Sequence, residues 1–86
     1  HKGLKQFWET GTKKGIQPKH AKRLKMMLSV LDNAEEIDEI TCFHTFNAHQ
    51  LHRDGKPWSL VVNGNWRLTF IFENGDIYIL NYEDYH

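Results

Sequence analysis

Residues 58–82 read WSLVVNGNWRLTFIFENGDIYILNY. Three runs rich in β-branched and aromatic residues, Trp58–Val62, Trp66–Phe72 and Ile77–Tyr82, are separated by Asn63-Gly64 and Asn74-Gly75. Such runs suit a pleated, half-buried surface. Asn-Gly suits a two-residue type I′ turn, in which both central residues need positive φ. The stretch therefore predicts an antiparallel meander. Counting outward from regular turns places Leu60 opposite Arg67, and Arg67 opposite Tyr82. Leu68, Phe70, Phe72, Ile77 and Ile79 then form one apolar face. The other carries Trp58, Arg67, Thr69, Tyr78 and Tyr82 and, if period two continues, Asp84 and His86. One bulge would turn half of this construction over.

Upstream the period becomes helical. Leu4, Phe7 and Trp8 fall at helical spacing within Gly3–Thr10, and Gly11 is a natural stop. Pro18 suits the first turn of a second helix reaching about Asn33. Ala21, Leu24, Leu28 and Leu31 share one side of it, with Lys19, Lys22, Arg23 and Lys25 mostly around the other. Ala34–Ile40 could add a short turn, residues 41–46 read as no regular element, and Ala48–His52 is a weak strand. The expected fold is α+β: two N-terminal helices packed on one face of a small antiparallel sheet, as a single domain over 1–86.

At 86 residues such a domain buries only about 60% of its unfolded surface. A hydrophobic content of 40%, with 13% aromatic, still excludes a disordered chain. Cys42 is the one cysteine, so no intramolecular disulfide can form and a reducing compartment, the cytoplasm, is expected. No apolar run approaches the ~20 residues of a membrane span, so no membrane partner is expected. The net charge of zero hides an asymmetry: residues 1–31 hold eight Lys/Arg against Glu9, and residues 32–86 hold three against ten Asp/Glu. A basic half is the electrostatic footprint of a nucleic-acid binder. Solvated lysines on amphipathic helices would look the same.

His52, Arg67, Asp84 and His86 are together the parts needed to cleave RNA without a metal. The ribose 2′-OH must lose a proton to attack the adjacent phosphate, and the leaving 5′-oxygen must gain one. Groups titrating near neutrality suit both tasks. A guanidinium can stabilise the charge that builds on phosphorus, and Tyr85 or Tyr82 can stack a base. His44, His49 and His52 are close in sequence, but on a strand His49 and His52 point to opposite faces. Neither a metal site nor a cofactor is expected. The rival reading is a non-catalytic RNA- or protein-binding domain on the same scaffold.

The segment Val62-Asn63-Gly64-Asn65-Trp66-Arg67 with Phe70, then Asn74-Gly75-Asp76 and a closing Asp84-Tyr85-His86, closely resembles the HigB branch of the RelE-like toxins. The opening His1-Lys2-Gly3-Leu4-Lys5 resembles the start of their first helix. The resemblance implies a RelE-like fold and a ribosome-dependent mRNA interferase, the toxin half of a type II toxin–antitoxin module. Its implied partners are a helix-turn-helix, HigA-like antitoxin, the ribosome with its mRNA, and operator DNA reached through the antitoxin. By position, His52 matches the family's catalytic histidine after leucine. Asp84, Tyr85 and His86 match its C-terminal triplet, and Arg67 matches the arginine leading from turn to strand. There are departures. The short strand that usually precedes the first helix has no counterpart here, and the segment from Ile40 to Leu51 is longer than usual. In place of Pro-Leu-Lys-Gly-Asp after Leu-His stand Arg53-Asp54-Gly55-Lys56-Pro57-Trp58, which makes Lys56 the candidate phosphate contact. Trp58, Tyr82, Lys22 and Arg23 complete the candidate RNA-binding set.

Overall fold

Residues 2–51 and 57–84 are described by the computed structural model. Helix α1 (Lys2–Thr10) buries Gly3, Leu4 and Phe7. Gly11 ends it at φ +80°, its N–H returning to Phe7 O at 2.8 Å, the left-handed stop that glycine makes without penalty. A tight turn at Pro18–His20 leads into α2 (Ala21–Asn33), which buries Ala21, Leu24, Met27, Leu28 and Leu31 and exposes Lys22 and Lys25. Between the helices the backbones of Gly3 and Gly15 touch: a Cβ on Gly3 would stand 2.6 Å from Gly15 Cα. This contact seats the loop that carries Lys14 to Gln17.

Residues 41–46, expected to be irregular, contribute a fully buried anchor. After α3 (Asp38–Thr41), a single turn at His44–Phe46 drives Phe46 into the core beside Ile40. Arg23 holds the segment in place. Its guanidinium lies 5.6 Å above the Phe46 ring and donates to Thr45 O and, at 2.9 Å, to Val61 O.

The sheet runs in the order β1 (His49–Gln50), β2 (Pro57–Asn63), β3 (Trp66–Glu73) and β4 (Asp76–Asp84), each strand antiparallel to the next. The weak strand expected at Ala48–His52 is only two residues long among the described residues. The helices cover one face, where Leu60, Leu68 and Phe70 are fully buried and Phe72, Ile77 and Ile79 pack around them. Burying each of the first three contributes about 1.5–3 kcal/mol. The second turn is as expected: Asn74 at φ +55° and Gly75 at φ +80° connect Glu73 to its partner Asp76.

Two register assignments differ from the sequence count. Asn63 pairs with Trp66, so the first loop is Gly64-Asn65, with positive φ at Gly64 alone. That is the pattern of a type II′ turn. The pairing skips Val62, and Arg67 faces Val61 instead of Leu60. The reason is burial: Leu60 opposite Leu68 puts both in the core, whereas Leu60 opposite Arg67 would not. In β4 the pairing passes from Phe70↔Ile79 to Thr69↔Asn81, leaving Leu80 as an extra residue. Beyond it Tyr82 faces Leu68, Glu83 faces Arg67 and Asp84 faces Trp66. The Tyr82 N–H, displaced by the bulge, donates to Asn81 Oδ1 at 2.9 Å.

Candidate active site at the end of the sheet

The bulge decides what the end of β4 presents. Tyr82 turns toward the helices, 3% exposed, and joins His20 and Trp66 in an aromatic cluster. Trp66 lies tilted on Tyr82 with centroids 4.7 Å apart, and the His20 ring meets both edgewise. Tyr82 Oη is 2.7 Å from His20 Nδ1 and accepts the Gln17 N–H at 3.3 Å. Burial, with a lesser push from the Lys19 charge, holds His20 below the ordinary histidine value, so the ring is neutral at pH 7. Burial also raises the Tyr82 phenol, against the opposing hydrogen bond from Gln17. We assign the Tyr82 O–H as donor to Nδ1, with the imidazole proton on Nε2. That nitrogen is buried and has no hydrogen-bond partner among the described residues, at a cost of about 1–3 kcal/mol.

Beside this cluster a groove of about 420 Å³ runs between the 14–17 loop and the strand end, lined by Lys14, Gln17, Trp66, Tyr82, Glu83 and Asp84. It brings a cation, an aromatic wall and two carboxylates together, a set able to orient a ribose or base edge through hydrogen bonds and stacking. A larger groove of about 520 Å³, between α1, α2 and β4, is mostly apolar and shares no lining residue with it.

The predicted site residues are therefore divided. Asp84 and Tyr82 lie on the helix-facing side and Arg67 on the other, so the strand does not bring all three to one face. Arg67 Nη1 donates to Gly64 O at 2.6 Å and Trp66 O at 3.1 Å, bracing the first turn. Trp58, expected on the Arg67 face, pairs with Phe70 and packs against the core. Thr69 and Tyr78 do share the Arg67 side, with Tyr78 exposed. Lys22 is exposed on α2, whereas Arg23 is engaged with Thr45, Val61 and Phe46. His52, Lys56, Tyr85 and His86 lie outside the described residues. Among the described residues no group of three His, Cys, Asp or Glu could hold a metal, and no helix is long and apolar enough to cross a membrane. His20 was not foreseen. Its signal was its place four residues before Leu24, on the apolar side of α2.

The sequence family described as RelE-like toxin of type II toxin–antitoxin system HigB matches residues 1–86. The chain belongs to the HigB-like toxins. Among relatives of this HigB-like toxin, Endoribonuclease HigB of Proteus vulgaris is 45% identical over 87 residues, covering 100% of this chain and 94% of the relative. The α+β architecture, helices on one face of a small antiparallel sheet, accords with the RelE-like fold of the HigB-like family. By the family's description, the HigB-like toxins are components of two-part modules, which makes an antitoxin the partner class.

Proposed function

We propose that residues 1–86 act as one endoribonuclease domain that cuts translated mRNA on the ribosome, in the cytoplasm, under the control of a helix-turn-helix, HigA-like antitoxin. Operator DNA is reached through that antitoxin. The full-length 45% identity to Endoribonuclease HigB carries the reading. The groove at Asp84 supports it, because it sets a carboxylate beside an aromatic wall and a cation.

The proposed chemistry needs no metal. His52 and His86 exchange protons with the 2′-OH and the leaving 5′-oxygen, Asp84 orients its neighbours, and Tyr85 stacks a base. Lys56 and Arg67 meet phosphate, and Lys22 adds a sequence-independent attraction. Arg67 acts from the opposite face of the sheet from Asp84, at the turn end of the inner strand β3, with Nη1 already bonded to the turn. Its removal should therefore cost less than loss of a proton-transfer group, which is worth about 10²–10⁴-fold.

The test is growth inhibition on expression of the parent, His52→Ala, Arg67→Ala and a His86 deletion, with primer-extension mapping on a translated message. Three variants as toxic as the parent would remove nuclease chemistry from this site. A harmless parent would favour a binding-only domain. Cleavage of free mRNA as fast as ribosome-bound mRNA would remove ribosome dependence.

A further inference from the structure

We infer that His20 is a positioning residue for the described end of the candidate site: through Tyr82 it sets the direction in which β4 delivers Asp84. The activity arm of this inference rests on the nuclease reading above; the structural arm does not.

His20 and Tyr82 are 62 residues apart in sequence, yet Nδ1 and Oη lie 2.7 Å apart in a buried setting. Two separate features produce the contact. The extra residue at Leu80 turns Tyr82 toward the helices. The Gly3–Gly15 backbone contact seats the loop whose Gln17 N–H meets the same hydroxyl. Trp66 completes the cluster, touching both rings and standing opposite Asp84 across the strands. A phenylalanine at position 20 would fill the space with no orphaned nitrogen. The imidazole leaves Nε2 buried and without a partner among the described residues, and what it contributes instead is the Nδ1 contact. β4 has β3 as its one neighbour among the described strands. The Tyr82 hydroxyl therefore ties the strand to the helical layer two residues before Asp84.

His20→Phe and Tyr82→Phe each remove the bond and keep a ring, while His20→Asn keeps an acceptor near the Nδ1 position. Amide hydrogen exchange at Glu83 and Asp84, referred to Leu68 and Thr69, should speed up about tenfold in both phenylalanine variants and return to within about threefold of the parent in His20→Asn. In mRNA cleavage both should lower kcat about tenfold with KM held within about twofold, and the double variant should be no worse than the poorer single. Unchanged exchange at Glu83 and Asp84 in both phenylalanine variants overturns the inference. So does a double variant whose losses multiply. If the parent cuts no RNA, the nuclease reading falls, and the exchange data alone decide the role of His20.

Discussion

In the β2–β3 hairpin the extra residue is Val62, beside the turn; in the β3–β4 hairpin it is Leu80, well along the strand. Both hairpins contain Asn-Gly, and both carry one residue more than a regular ladder. The first irregularity lies in β2 one residue short of the loop, at the end of the ladder: beyond it Leu60 faces Leu68 and the core is served. The second reverses the facing of Asn81 to Asp84, taking Tyr82 inward, Glu83 to Arg67 and Asp84 to Trp66. A bulge re-aims only what lies beyond it, so the same device trims a turn in one hairpin and points Tyr82 and Asp84 in the other.

Deleting each extra residue should separate these two effects. Removal of Leu80 should close the bulge into a regular ladder that keeps Thr69 opposite Asn81, Leu68 opposite Tyr82 and Trp66 opposite Asp84. The Tyr82–His20 contact should then persist in nuclear Overhauser effects, and RNA cleavage should stay within about tenfold of the parent. Loss of that contact, with Tyr82 moved to the Arg67 face, would show that the extra residue itself holds the register of β4. Removal of Val62, which is 2% exposed, should instead cost stability, about 1.5–3 kcal/mol in urea unfolding, while activity per folded molecule persists.

The turns offer a finer contrast. Asn74 sits at φ +55°, whereas Asn63 does not have positive φ. Asn74→Ala should therefore cost about 1 kcal/mol and Asn63→Ala almost nothing. Equal costs would return the first turn to Asn63-Gly64.

The smallest effect should come with pH. His20 is held below its ordinary value in the folded protein, so the unfolded chain takes up the proton first as pH falls. The stability associated with the neutral ring is present above about pH 6.5 and is lost as pH drops through the lower folded value. Urea midpoints measured from pH 8 to 5 should fall more steeply for the parent than for His20→Asn; parallel curves would contradict the assignment.

The helices and the meander were legible because apolar periodicity and turn chemistry are local. The second turn was legible for the same reason. The first was not, because Asn63-Gly64 and Gly64-Asn65 satisfy the same local rules, and the choice between them is made across strands by Leu60 and Leu68. Nothing within Ile77-Tyr78-Ile79-Leu80 marks an extra residue, since every one of these suits a strand. What Tyr82 finds on turning inward is His20, far away in sequence. Phe46 was hidden for a similar reason, its burial depending on Arg23 and the core rather than on any local period. Asp84-Tyr85-His86 drew its proposed role from resemblance, and the register count that joined Asp84 to the Arg67 face failed at one residue, Leu80.

The Leu80 bulge makes β4 one residue longer than its ladder requires. An in-frame loss of one codon between Tyr78 and Asn81 would close the bulge and leave Tyr82 opposite Leu68 and Asp84 opposite Trp66. A gap at this point in an alignment of homologous sequences would then mark a flattened strand and not a lost site.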